Sequence, residues 1–258
     1  MDTSAQGLRV LVTAGAAGIG RAIAQTFVAH GARVHICDVD TAALATARDA
    51  LPSATQTVAD VANVADVDRL FADVARTLGG LDVLVNNAGI AGPTGKVEDL
   101  APADWDRCIA VDLNGMFYCT RRAMPLIKQA GGGSIINLSS VAGRLGFPLR
   151  TPYAAAKWAV VGFTKSLAIE AGPDKVRVNC IQPGNVEGER IDRVIDAKAS
   201  ALGITAAEMR NRLLDTVSLR TFVSPQDIAN IALFLATDAG RHITGQALSV
   251  CGDVQRTV

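Results

Sequence analysis

The chain has 258 residues, 49% of them apolar, with 25 basic and 25 acidic side chains and a formal net charge of zero. That balance removes any general electrostatic attraction to nucleic acid or to an anionic membrane surface. The five cysteines (Cys37, Cys108, Cys119, Cys180, Cys251) are scattered with no C-x-x-C pair, and His30, His35 and His242 have no ligand spacing, which argues against a disulfide framework or a metal site and predicts a reducing cytoplasm.

The opening MDTSAQGLRV lacks the basic-then-apolar order of a secretory signal, and no apolar run reaches the ~18 residues of a membrane span. Strand-like runs then alternate with helical patterns along the whole chain: LRVLVT, ARVHIC, TQTVAD, LDVLVN, GSIINLS, VRVNCIQ and QALSV. Strands apolar on both faces and separated by helices predict one doubly wound Rossmann-type α/β domain over residues 1–258, with about seven parallel strands between two helix layers.

After the first strand comes TAGAAGIG, with Gly15, Gly18 and Gly20. The strand is expected to end near Thr13 and a helix to start near Gly18. Free N–H groups and the positive dipole end at that helix start would suit a pyrophosphate. Glycines at 18 and 20 would allow close approach of cofactor and neighbouring strand. The second strand ends in Asp38, 18 residues past Gly20. An acid there would take the adenosine ribose hydroxyls and repel a 2′-phosphate, favouring NAD over NADP. Capping a helix that begins near Thr41 is the competing role for Asp38.

Further on, the strand GSIINLS leads to Ser140, and YAAAK places Tyr153 and Lys157 one helical turn apart on a shared face. A phenol titrates near pH ~10 in water, and a nearby ammonium favours its ionised form. Ser140 could hydrogen-bond the substrate oxygen while Tyr153 takes the hydroxyl proton and hydride leaves for a nicotinamide. In the connecting loop, Arg144 and Arg150 could hold a carboxylate or phosphate. They are also open to a plainer reading as surface or subunit-contact residues. Trp105 and Trp158 read as packing residues. From Gly184 to about Val223 the chain is charged and helical without a strand, and is expected to form a substrate lid; Asn185, Glu187, Glu189 and Arg190 favour a small polar substrate such as a polyol, sugar or hydroxy acid.

The motifs TAGAAGIG, DV at Asp60–Val61, NNAG at Asn86–Gly89, NLSS, YAAAK, RVNCIQPG and ITGQALSV, in this order, resemble the short-chain dehydrogenase/reductase family from Gly7 to Asp253. The resemblance implies a cofactor site made of Gly15, Gly18, Ile19, Gly20, Asp38, Asp60, Val61, Asn87, Gly89, Tyr153, Lys157, Pro183, Gly184 and Val186. Within it, Asp60 and Val61 would hold the adenine, Asn87 would lie beside the ribose, Lys157 would grip the nicotinamide ribose and Val186 would meet the carboxamide. It further implies a homotetramer, with the helices around Trp105–Gln129 and Tyr153–Ala171 pairing across one interface.

Three positions depart from the family pattern. Ala14 stands where the first loop glycine belongs, Asp112 replaces the asparagine of a proton relay, and Gly188 replaces a threonine two residues after Val186. If the relay uses a backbone carbonyl, Asp112 can serve as a catalytic residue. The leading expectation is an NAD-dependent oxidoreductase acting on a secondary alcohol or its ketone. The alternatives are an NADPH-dependent 3-oxoacyl reductase and a non-catalytic dinucleotide-binding protein.

Overall fold

The computed structural model describes residues 3–257. Seven parallel strands form one sheet: β1 (Arg9–Thr13), β2 (Arg33–Asp38), β3 (Thr55–Val58), β4 (Val83–Asn86), β5 (Gly133–Leu138), β6 (Val176–Pro183) and β7 (Ala247–Val250). Their order is β3-β2-β1-β4-β5-β6-β7. Each predicted strand is present, with ends that shift by no more than two residues. The fold is the doubly wound arrangement that the alternation of patterns predicted.

The double-sided apolar character of the strands has a direct cause. Successive side chains point to opposite faces, so Val10 and Val12 of β1 enter one core while Leu11 enters the other. Strand β4 repeats this with Val83 and Val85 against Leu84. One face is covered by α1 (Gly18–Ala29), α2 (Thr41–Ala50) and α9 (Pro225–Ala236). The other is covered by α3 (Val64–Leu78), α5 (Gly115–Gln129) and α6 (Thr151–Ala171). Helix α3 shows how the sequence sets such a layer. Its Val67, Leu70, Phe71, Val74 and Leu78 form one buried stripe, Asn63 caps its first N–H groups, and Gly79 ends it at φ 75°. Helix α4 (Pro102–Ile109) runs through a π turn, Ala110–Asn114, directly into α5.

Beyond β6 the chain forms the expected helical excursion, with α7 (Glu189–Leu202) and α8 (Ala206–Asp215). These helices have their own apolar centre, Ile195, Ala199, Met209, Leu213 and Phe222. A short parallel bridge between Val186 and Val223 closes the base of the excursion.

One buried group makes acid stability predictable. His35 on β2 is 1% exposed, and its ring nitrogens meet Thr55 Oγ1 at 2.7 Å and Thr57 Oγ1 at 3.0 Å. Burial pushes its pKa down from 6.5 to about 4, against the opposing influence of Asp73. Between those values the unfolded chain binds a proton that the folded chain refuses. This contribution to stability is therefore complete above pH 6.5 and is lost as pH falls to about 4, a change on the order of 3 kcal/mol. Asp73 and Asp82, whose carboxyls are held below the usual 3.8 by partners including Arg76 and Arg9 respectively, act only at lower pH. Urea midpoints should fall between pH 6.5 and 4, and His35→Gln should flatten that fall. A flat wild-type profile in this window would contradict the assignment.

Candidate active site

The strand order reverses at β1, with β2 and β3 on one side and β4 to β7 on the other. In such sheets the crevice at the carboxyl ends of the two central strands is where ligands bind. The glycine loop and Asn87 border it. Asn87 Nδ2 donates to the carbonyls of Thr13 and Ala14, each at 3.0 Å, and Thr13 Oγ1 accepts from the N–H groups of Asn87 and Ala88, each at 3.0 Å. This clamp holds Ala14 at φ 48°, a left-handed conformation that costs a residue with a Cβ about 1–2 kcal/mol. The missing family glycine is thus compensated by tertiary hydrogen bonds.

At Gly20 a Cβ would collide with the Ala14 carbonyl and with Asn87 Nδ2, and at Gly15 it would meet the Ile36 side chain at 2.7 Å. Helix α1 begins at Gly18 with no side-chain cap and no acid in its first turn. Its leading N–H groups are thus left for an anion. Ile19 is half-buried and anchors this first turn against the core.

Asp38 closes the crevice on the β2 side. Its carboxylate accepts from Ala16 N at 3.3 Å and from Asp40 N at 3.1 Å. The capping of α2 falls to Asp40, whose Oδ1 accepts from Ala42 and Ala43. Asp38 is therefore not occupied as a helix cap. Past β3, Asp60 pairs with Arg107 at 3.1 Å, and Val61 is buried against Gly115. Pro183 ends β6 in the interior, and Gly184 lies so close to Cys251 that a Cβ there would be 2.7 Å from it. Asn185 and Val186 then enter the base of the helical excursion, the Asn185 carbonyl accepting from Val223 N at 3.0 Å.

The residues predicted to react converge from three elements. Ser140 follows β5 and starts a tight 3-10 turn, where its Oγ accepts from Ala142 N at 3.2 Å. Its own hydroxyl proton stays available to donate. The neighbouring Ser139 Oγ donates to the Lys157 carbonyl at 2.8 Å, locking this turn to α6. Tyr153 and Lys157 lie on α6 as the four-residue spacing requires, with Lys157 Nζ 5.4 Å from the centre of the Tyr153 ring. Lys157 is buried; its Nζ donates to the Leu138 carbonyl at 3.1 Å and lies 3.2 Å from Asp112 Oδ2.

Asp112 sits in the π turn, 2% exposed, a kind of turn that recurs at functional sites. Its Oδ1 accepts from Ile90 N at 2.6 Å, while Oδ2 faces the ammonium without hydrogen-bond alignment. The side chain therefore acts on Lys157 directly, as a charge. Gly89 lies against the same pair, 3.1 Å from Lys157 Nζ for a Cβ built there, and its carbonyl accepts from Arg190 Nη1 at 3.0 Å.

The two loop arginines part company. Arg144 turns toward the C-terminal segment, donating to the Val254 carbonyl at 2.8 Å and contacting Cys251 Sγ at 3.6 Å. Arg150 turns inward: it is 3% exposed, donates to the Ala91 carbonyl, and places its guanidinium 5.0 Å from the Tyr153 ring centre. Surface placement, the plainer sequence reading, does not hold for Arg150. Trp105 and Trp158 are 40% and 51% exposed and do not pack in this chain's interior.

Sequence reasoning passed over Lys198 and Phe147. Lys198 on α7 is 2% exposed, with its Nζ 4.6 Å from the Phe147 ring centre. Burial, helped by the charge of Arg150, pushes its pKa down to about 8. The available signal was its spacing: Lys198 continues the stripe of Ile191 and Ile195, where a lysine is unexpected. Among the described residues no helix is long and apolar enough to cross a membrane, and no cluster of three or more His, Cys, Asp or Glu could hold a metal.

A family model described as Enoyl-(Acyl carrier protein) reductase matches residues 14–253. The chain is 36% identical over 254 residues to an uncharacterized short-chain type dehydrogenase/reductase of Sinorhizobium fredii, covering 95% of this chain and 96% of the relative. It is 36% identical over 245 residues to galactitol 2-dehydrogenase of Agrobacterium fabrum, covering 94% and 95%. Among solved structures it superposes on NAD+-bound xylitol dehydrogenase with a TM-score of 0.93 at 26% identity, over 96% of this chain and 99% of that one.

Proposed function

The chain belongs to the short-chain dehydrogenase/reductase family, and from that premise we propose that it interconverts a small polar secondary alcohol and its ketone, using NAD in preference to NADP. It is an oxidoreductase linked to a nicotinamide dinucleotide and acting on CH–OH groups. The observation that carries the reading is the buried Lys157, held between the Leu138 carbonyl and Asp112 and facing the Tyr153 ring, beside an uncapped glycine-loop helix.

The residues around the crevice suit a dinucleotide. Gly15, Gly18, Ile19 and Gly20 would receive its pyrophosphate, Asp38 the adenosine ribose, Asp60 and Val61 the adenine, and Asn87, Gly89, Tyr153 and Lys157 the nicotinamide ribose. Pro183, Gly184 and Val186 would border the nicotinamide. When bound, the nicotinamide ring accepts or returns hydride. Tyr153 removes the proton from the substrate hydroxyl, and returns it in the reverse direction. Ser140 donates its hydroxyl proton to the same oxygen and fixes its position. Lys157 stabilises negative charge on the tyrosine oxygen, and Asp112 keeps the ammonium in place. The carboxylate of Asp38 would meet a 2′-phosphate with like charge, which supports NAD.

Substrate polarity is supported by Arg150 and Arg190 beside Tyr153, and by the dehydrogenation of a polyol named for the galactitol relative. A homotetramer is supported by Phe117, Trp158 and Ile169 on α5 and α6, exposed by 47%, 51% and 81%; such apolar surface on adjoining helices fits subunit contact. Sedimentation at the mass of four chains is the expected result. Five buried free thiols support a cytoplasmic setting.

The test is a pair of initial-rate screens with NAD+ and NADP+ against polyols, sugars, hydroxy acids and neutral secondary alcohols. Turnover with NAD+ at least tenfold faster than with NADP+ is expected from a like-charge penalty above ~1.4 kcal/mol. A preference for NADP+ would remove the role given to Asp38. Absence of turnover on every alcohol and ketone would overturn the enzymatic assignment of this site.

A further inference from the structure

Around the Tyr153 ring the positive charge is far larger than one catalytic lysine requires. The ring centre lies 5.0 Å from the Arg150 guanidinium, 5.4 Å from Lys157 Nζ and 6.0 Å from the Arg190 guanidinium. The adjoining Phe147 ring, 6.4 Å away, lies 5.7 Å from Arg150 and 4.6 Å from Lys198 Nζ. Four cations thus line two touching aromatic rings. Asp112 pairs with Lys157, and Lys198 is likewise not without a partner. Among the described residues neither Arg150 nor Arg190 forms an ion pair with a carboxylate.

Arg150 is the sharpest anomaly. A guanidinium stays charged in proteins, and burying one without a counter-charge is costly. Here the group is 3% exposed, one nitrogen donates to the Ala91 carbonyl, and Nε has no hydrogen-bond partner at all. Contact with aromatic faces offsets part of the cost. An unmatched donor remains within a few ångströms of the tyrosine that handles the substrate oxygen. A helix-packing role would be met by an apolar side chain without that cost.

We propose that the substrate carries a single anionic group, a carboxylate or an oxyanion of like charge, and that Arg150 at the centre, with Lys198 behind it and Arg190 at the mouth, receives that group. The subsite rests on the proposed alcohol oxidation at Tyr153 and names the class of substrate for it: a short hydroxy acid and its oxo acid. Arg150 faces both rings, so the anion it binds sits near the reacting carbon, which limits the spacer to a few bonds. Two of the three cations, Arg190 and Lys198, ride on α7 of the lid, eight residues apart and hence on one face. An anion bound to them and to Arg150 would draw the lid onto the loop before α6. A neutral polyol leaves the Arg150 donor and its charge unanswered.

The experiment compares 3-hydroxybutyrate and lactate with their methyl esters, and glycerol 3-phosphate with glycerol, in wild-type protein and in Arg150→Gln and Lys198→Met. Each pair keeps the secondary alcohol and removes the anionic charge, by esterifying the carboxylate or by omitting the phosphoryl group. The expected result is kcat/KM at least tenfold higher for an anion than for its neutral partner, with that anion-to-neutral ratio falling ~10–100-fold in Arg150→Gln, the range for a charge-assisted hydrogen bond. Lys198→Met, which keeps the length and apolar stem, should lower the same ratio if Arg150→Gln does not fold. The carboxylate and phosphate pairs tell which anion the subsite takes. Equal or better turnover of the neutral partners would overturn the anion subsite and leave the alcohol oxidation standing. If nothing turns over, calorimetric titration of the NAD+-saturated protein with 3-hydroxybutyrate and with its methyl ester decides. Binding confined to the acid and weakened by either substitution supports the subsite, whereas no difference between acid and ester overturns it.

Discussion

Replacing Tyr153 with phenylalanine should lower kcat by about 10³-fold or more, within or beyond the range of losing a positioned acid–base group, while the affinity for NADH changes less than threefold. The substitution removes one oxygen and keeps the ring against which Arg150, Lys157 and Arg190 are arranged. Packing and local charge are therefore retained, and what is lost is the proton carrier with its single hydroxyl contact to the nicotinamide ribose, which Asn87, Gly89 and Lys157 would still receive. Steady-state rates with the best alcohol, together with a fluorescence titration of NADH, separate the two effects. A variant that keeps more than a tenth of the activity would show that another group moves the proton. Ser140, whose oxygen already accepts from Ala142 N, would then be the first to examine.

Loss of the Asp112 carboxylate should be the most damaging change to stability in the site. Lys157 and Asp112 are both enclosed, and breaking a buried pair by removing one partner costs ~3–5 kcal/mol, because an uncompensated charge remains. Asp112→Ala also leaves Ile90 N without its acceptor at 2.6 Å. Asp112→Asn can keep the bond to Ile90 through its amide oxygen, but its amide nitrogen then faces the Lys157 ammonium where an anionic oxygen stood. Chemical denaturation should therefore rank the proteins wild type, then Asn, then Ala, with the alanine variant lower by several kcal/mol. Activity should follow a different order. With the carboxylate neutralised, the positive field of Lys157 at the Tyr153 oxygen is no longer partly cancelled, so the asparagine variant should keep at least a tenth of wild-type kcat. Equal stability of the alanine variant and wild type would show that the pair contributes nothing to the fold.

The frame of the molecule was readable because it rests on periodicity and on short-range chemistry. Strands buried on both faces must be apolar throughout, and the runs around Val10–Val12 and Val83–Val85 are so. Tyr153 and Lys157 share a helix, so their spacing alone fixes their common face. Groups whose partners are remote in sequence were less legible. Asp38 and Asp40 are equally plausible caps by composition, and only the three-dimensional turn assigns that task to Asp40. Arg144 and Arg150 share a loop and a chemistry, yet one answers the C-terminal segment near Val254 and the other a carbonyl near Ala91. The direct contact of Asp112 with Lys157 crosses 45 positions, the difference of their numbers, and no local pattern encodes it. Lys198 escaped because a lysine in a charged segment is ordinarily solvated.

The helical excursion is tied down at two places, Val186 against Val223 and Val217 against Val254, and holds its own apolar centre between α7 and α8. Residues of α7 and α8 outside that centre can therefore vary with little effect on the packing of β1 to β7, whereas Thr216–Leu219 are bonded to the C-terminal segment at Gly252, Asp253 and Gln255. Arg190 and Lys198 ride on this excursion, whereas the cofactor crevice, the Tyr153–Lys157 pair and Arg150 lie outside it. Exchange of residues 189–215 between relatives would then retune the anion subsite through Arg190 and Lys198, with Arg150 and the chemistry left in place.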